Sequence, residues 1–208
     1  MGIKGEVEWG DLGQLALIQA DFGVCEQARQ NVATIPTGKT RDAAVFAGFV
    51  FATCGEAAKA ETIASELGKN YPLNTLVQKL AIPQIRARFE LQRGSSAKAI
   101  EQLRPTEAYQ FGYVAAGMPV YLRGLAYLQA KQGPQAVAEF QKILDHKSAF
   151  GASPYVSLAR LGLARGFALS GDPAKARTHY QDFFTKWKDA DPDIPILKEA
   201  KTEYMKLQ

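Results

Sequence analysis

The chain has 208 residues, 47% of them hydrophobic and 22% charged, with a formal net charge of +4. That composition is ordinary for a folded chain and argues against disorder as the default, and the length suffices for one sizeable domain or one short repeat array. No run of five like charges occurs, so the mild basicity argues by itself for neither nucleic acid nor a membrane surface.

The first residues, Met1 to Gly5, precede acidic positions and lack the apolar stretch of a secretory signal. The longest apolar run, Ala43 to Cys54, is twelve residues long. A bilayer span needs roughly 20, so this run reads as a buried helix and no membrane span is expected.

Taken in chain order, the helical periodicity predicts five pairs over 9–35, 41–72, 75–104, 118–147 and 154–188, then a last helix over 194–207. In each pair the first helix (A) ends at a glycine: Gly23, Gly55, Gly94, Gly133 and Gly171. Five residues later stands alanine, at Ala28, Ala60, Ala99, Ala138 and Ala176. Seven residues earlier stands a small residue, at Ala16, Gly48, Ala87, Ala126 and Ala164. The glycine can adopt the left-handed conformation that stops a helix. The two small residues then face each other where helix A and the returning helix B come closest.

This small–Gly–Ala skeleton resembles the tetratricopeptide repeat. The resemblance implies an all-α, right-handed α-solenoid of about five helix pairs plus a C-terminal capping helix, in a single domain over 1–208. Phe51, Phe167 and Tyr180 occupy places where the family carries aromatics, and Pro72 stands where its proline ends helix B. The glycine spacings of 32, 39, 39 and 38 mostly exceed the usual repeat of about 34. The extra residues, Thr106 to Gly117 and Ser148 to Ser153, read as loops between pairs. Pro83 falls inside the third helix A and should kink it or start it late. Asp191 or Asp193 should cap the last helix, whose apolar stripe is Ile196, Leu197, Ala200, Tyr204 and Leu207. Trp9 and Leu12 begin the first helix without a comparable cap, as at a cut end.

The segments Tyr121 to Leu128, Ala138 to His146, Gly171 to Tyr204 and Tyr71 to Gln78 carry a closer likeness. They resemble the repeat region that follows the catalytic domain in some bacterial serine/threonine protein kinases, and that also occurs in some winged-helix regulators. The resemblance covers about residues 40 to 208 and implies a sensory or scaffolding appendage. It transfers no ligand residues. The compartment stays open: cytoplasmic by default for the isolated chain, extracytoplasmic for a piece of a membrane-anchored kinase.

Several short motifs imitate catalytic ones and fail on context. Asp21-Phe22-Gly23 spells a kinase metal-binding tripeptide, yet only twenty residues precede it, too few for a phosphate loop and catalytic loop. Ala33 to Thr40 approximates a phosphate loop, but a helix rather than a strand precedes it and Pro36 removes an amide. Thr40 or Thr37 more simply caps the next helix. Asp189, Asp191 and Asp193 alternate like a calcium loop, but Ile194 and Ala200 stand where glycine and glutamate are required. His146 and His179 lie in different pairs without a nearby cysteine, so no metal site or cofactor is expected. Cys25 begins the first helix B and Cys54 ends the second helix A, at one edge of the array. A disulfide between them is open if the Cα atoms come within about 7 Å, and two separately buried thiols are the favoured expectation.

In tetratricopeptide arrays the A helices line a concave groove. Counting thirteen, ten, six, three and two residues back from each glycine gives the groove positions. The third pair then supplies Gln84 and Arg88, the fourth Arg123, Tyr127 and Lys131, and the fifth Arg165 with Leu158, Leu161, Ala168 and Leu169. The first two pairs supply mostly Gly13, Leu17, Val45 and Phe49. Arginine and tyrosine are frequent anchors, and arginine grips carboxylates through paired hydrogen bonds. The expectation is a protein-interaction scaffold that holds a protein or peptide segment, acidic by charge, in this groove. Tyr109, Phe111 and Tyr113 offer a second surface, for which packing back onto helix B of the third pair is favoured. Rival readings are a homodimerisation module and, ranked lower, an RNA-binding helical repeat, because basic residues cover only half the groove. An enzyme is not expected.

Overall fold

The computed structural model describes residues 3–36, 38, 40–112, 114–150 and 153–207, with side chains described from Trp9 onward. The described secondary structure is all-helical, with eleven α-helices and no strand. The chain divides into two compact bodies, Met1–Arg93 and Gly94–Gln208. No described helix is long and apolar enough to cross a membrane.

The first body comprises α1 (Ile3–Asp21), α2 (Cys25–Ala33), α3 (Arg41–Thr53), α4 (Ala57–Asn70) and α5 (Ile82–Gln92). Helix α1 packs on α2 and α3, and α3 on α4 and α5. The second body comprises α6 (Ser96–Leu103), α7 (Met118–Gln129), α8 (Gly133–Asp145), α9 (Pro154–Leu169), α10 (Pro173–Lys186) and α11 (Pro195–Met205). Within it α7 packs on α6, α8 and α9, α9 on α8 and α10, and α10 on α11. Each consecutive A–B pair inside a body is thus also joined to the next A helix, the contact pattern of a helical repeat.

Local chemistry sets the boundaries. The Thr40 hydroxyl accepts from the amide of Ala43 at 3.1 Å and starts α3, while the Asp172 carboxylate accepts from that of Lys175 at 3.0 Å and starts α10. The Lys175 amide, with the nearby ammonium, holds the Asp172 carboxyl below its ordinary range. Proline occupies the first turn of α7 to α11, where its missing N–H costs nothing. Pro83 stands in the first turn of α5, whose α geometry begins only at Ile82, late in the pair predicted over 75–104. Six residues in π geometry, Leu76–Ala81, run directly into α5, and the amide of Ile82 reaches back five residues to Val77. The proline ring would collide with the carbonyl of Lys79 in a regular helix, and the wider π turn moves that carbonyl aside.

Within the two bodies the small–Gly–Ala skeleton holds in the first, second and fifth pairs and slips in the fourth. Gly23, Gly55 and Gly171 have φ between 77° and 88° and close those A–B turns, and Gly94, at φ 75°, begins the second body. Ala16, Ala28, Ala60, Ala87, Ala99, Ala164, Ala176 and Gly48 are buried. In the fourth pair the left-handed residue is Lys131, at φ 60°, and Gly133 is already the first residue of α8. The close approach therefore falls two residues earlier, at Gly124 and Ala136, while Ala138 is exposed. Ala126 is buried, but outside the skeleton register. Gly133 is small for a different reason: a Cβ there would lie 2.9 Å from the amide nitrogen of Ser170 and 3.0 Å from the carbonyl of Gly166. Gly124 and Gly162 both abut the ring of Phe140, which a Cβ on either would approach to 2.5 and 2.6 Å.

This register is testable. Ala136→Leu is expected to destabilise by about 1–3 kcal/mol through overpacking, whereas Ala138→Leu should stay within about 0.5 kcal/mol of wild type. Urea midpoints of the two variants check it, and equal losses would restore the glycine-based register.

The last helix starts at Pro195 after Ile194, so neither aspartate caps it. Asp191 instead accepts from the amide of Asp193 at 2.8 Å in the preceding turn, and Asp193 pairs with Lys198 at 2.7 Å. That ammonium holds the Asp193 carboxyl below its usual range. Ile196, Leu197 and Ala200 are buried as the stripe requires, with Tyr204 and Leu207 half-buried.

Candidate functional site

The anchors expected to line an open groove are placed differently. Gln84 and Arg88 belong to the first body, and Arg123, Tyr127, Lys131 and Arg165 to the second. Gln84 is buried and donates to the carbonyl of Leu80, in the π stretch before α5, at 3.0 Å. Arg88 is 3% exposed. Its guanidinium donates to both oxygens of Asp21, at 2.5 and 3.2 Å, and to the hydroxyl of Thr53 at 2.6 Å. The ring of Phe49 lies 5.6 Å from the same group. One side chain of α5 therefore ties together the C-terminal ends of α1 and α3.

Arg123 is 5% exposed and meets Glu139 of α8 at 2.9 and 3.0 Å, with Gln110 as a further acceptor. Lys142 adds a contact to Glu139 at 2.6 Å. Arg165 is the least enclosed of the three. Its Nε donates to Glu203 of α11 at 2.9 Å, and its Nη2 lies 3.5 Å from Glu199. Burial opposes the charge on Arg165, but the hydrogen bond and field of Glu203 outweigh it and raise the guanidinium pKa. Glu203 also accepts from the Tyr180 hydroxyl at 2.8 Å, and burial, reinforced by that carboxylate, pushes the Tyr180 pKa up.

The correction is physical. A guanidinium taken out of water requires a charged partner, and each of these arginines has one inside the chain. They are structural ion pairs, so they do not form a row of free anchors. Tyr127 is half-buried, and Lys131 is exposed in the turn after α7. With the fourth pair moved by two residues, the A-helix positions six, three and two before the turn become Leu125, Leu128 and Gln129. Leu125 and Leu128 are half-exposed, as is Ala168 on α9, and Leu169 is exposed. Leu125 and Leu128 were missed because the register was hung on a glycine rather than on the turn conformation.

The aromatic insertion packs back on its own body, though against a different partner from the expected one. Phe111 stacks on His146, with ring centres 4.1 Å apart, and lies 6.4 Å from Phe150. Tyr109 is partly exposed, and Tyr113 lies outside the described residues. His146 also bonds the carbonyl of Lys142 at 2.9 Å. His179 stacks on Phe167 at 5.2 Å, and burial lowers its pKa.

The motif residues are absorbed by structure. Asp21 is the partner of Arg88, and Gly23 closes the first turn. Thr40 caps α3, while Thr37 and Lys39 lie outside the described residues. Among the described residues no cluster of His, Cys, Asp or Glu is arranged to hold a metal ion.

Cys25 and Cys54 depart from the expectation of separate thiols. They form a disulfide, with Cα atoms 5.5 Å apart. The first residue of α2 and the residue that ends α3 are brought together because α2 packs on α3. Both cysteines are half-exposed. Arg29 of α2 and Glu56, the residue before α4, pair at 3.5 Å.

What these features amount to is a set of repeated helix pairs with internally neutralised arginines, and comparison adds no relative: no family model, curated protein or solved structure matches the chain.

Proposed function

We propose that the chain is a right-handed α-solenoid of the tetratricopeptide kind that binds a peptide or protein segment on the A-helix face of residues 94–208. The observation that carries this reading is a set of apolar side chains, half-exposed Leu125, Leu128 and Ala168 and exposed Leu169, on two A helices that pack together, α7 and α9. These side chains suit a segment with apolar residues, and the excess of basic side chains in this body suits one that is also acidic. Charge supports the choice. Residues 1–93 carry ten basic and ten acidic side chains, whereas 94–208 carry fifteen and eleven. The likeness to repeat regions of bacterial kinases supports a regulatory or scaffolding use. The bridge between Cys25 and Cys54 supports an oxidising compartment for the working state.

The test is selection of short peptides from a displayed library on wild type and on a Leu128→Asp/Leu169→Asp variant. Wild type should enrich a common apolar–acidic pattern. The variant, with unchanged helix content by circular dichroism, should bind the selected peptide about tenfold or more weakly, roughly 1.4 kcal/mol. Equal binding by both proteins would remove this face from consideration, and failure to enrich any pattern would count against peptide binding altogether.

A further inference from the structure

The disulfide and the buried ion pair of the first body share their anchoring segments. Asp21, the carboxylate partner of Arg88, ends α1 four residues before Cys25, and Thr53, the hydroxyl partner, directly precedes Cys54. The bridge therefore cross-links the two chain ends from which Arg88 draws its acceptors. Arg88 itself sits on α5 and is covalently joined to neither. Both sulfur-bearing residues are half-exposed, within reach of a small thiol.

We propose that the Cys25–Cys54 bridge is a redox latch on the Asp21–Arg88 ion pair. A dithiol reductant attacks through its thiolate at Cys54 Sγ, and the bond to Cys25 Sγ breaks. Cys25 departs as a thiolate at the first turn of α2, where the helix N-terminus stabilises negative charge. The second thiol of the reductant then displaces Cys54 from the mixed disulfide. The reductant ends as a disulfide, and its two protons end on the two cysteines. With the cross-link gone, the end of α1 and the start of α2 open away from the end of α3. Asp21 is withdrawn from Arg88, and the guanidinium reaches solvent. The bridged chain holds Arg88 closed; the dithiol chain lets it open.

The experiment uses the full chain with its cysteines bridged, and again after reduction by dithiothreitol and removal of oxygen. Arginine modification by a dicarbonyl reagent is followed by mass spectrometry, alongside amide hydrogen exchange. Arg88 should react about tenfold or more faster after reduction, because its protection reports a local opening. Arg86, already exposed and paired with Glu61 at 2.8 Å, serves as the unchanged reference. Amides of α4 should lose protection only through the lower global stability, and so stay better protected than Arg88. The Cys25→Ser/Cys54→Ser variant should match the reduced chain with no reductant present. Equal protection of Arg88 in both states overturns the latch. Exchange of α4 in step with Arg88 also overturns it, since the whole body would then be unfolding.

Discussion

Replacing Asp21 with alanine is expected to destabilise the first body by about 3–5 kcal/mol, the largest single-residue effect foreseen in this chain. The reason is the company Arg88 keeps. The two side chains are 2% and 4% exposed, so the substitution takes the carboxylate from a buried guanidinium that also meets the Thr53 hydroxyl and the Phe49 ring. Neither carries the charge that desolvation demands. Removing both charges, as Asp21→Ala/Arg88→Leu, should recover most of the loss, because an apolar side chain in that space leaves nothing unpaired. The two tryptophans make the measurement separable. Trp9 belongs to α1 and Trp187 follows α10, so single-tryptophan variants report the two bodies independently in urea. An Asp21→Ala transition that coincides with wild type would show that the pair contributes nothing.

Loss of the Cys25–Cys54 bridge comes next, at about 3–4 kcal/mol for a loop closed over a sequence separation of 29. The effect acts largely through the unfolded chain, whose ends the bridge holds together. It should therefore shift the midpoint and also steepen the denaturant dependence, as a more expanded unfolded state exposes more surface. Urea titrations of the bridged chain and of Cys25→Ser/Cys54→Ser, read at Trp9, check both. Identical midpoints would mean that helix packing alone sets the stability of this body.

Helix content and helix boundaries were legible because they rest on local chemistry. The turn residues Gly23, Gly55, Gly94 and Gly171, the cap at Thr40 and the prolines in first turns are all readable along the chain. Burial of Ile196, Leu197 and Ala200 followed from helical spacing in the same way. In the fourth pair the same logic misled, since a lysine took the left-handed position and a glycine two residues later imitated it. A non-glycine residue there costs roughly 1–2 kcal/mol, which the pattern weighed too heavily. The packing of Phe140 against Gly124 and Gly162 supplies a competing demand that no local rule contains.

The sequence by itself determined an all-helical chain, its paired segments and the small residues that let most of those pairs close. Only the tertiary structure decided what the arginines do. Arg88 finds Asp21 across 67 positions of sequence, and Arg165 finds Glu203 across 38. Helical periodicity shows which face a side chain occupies, but not which distant carboxylate arrives opposite it. That depends on how successive pairs stack, and the same stacking joined Cys25 to Cys54. Charges expected to wait for a partner are instead satisfied within the fold, because a buried charge is stable only beside its opposite.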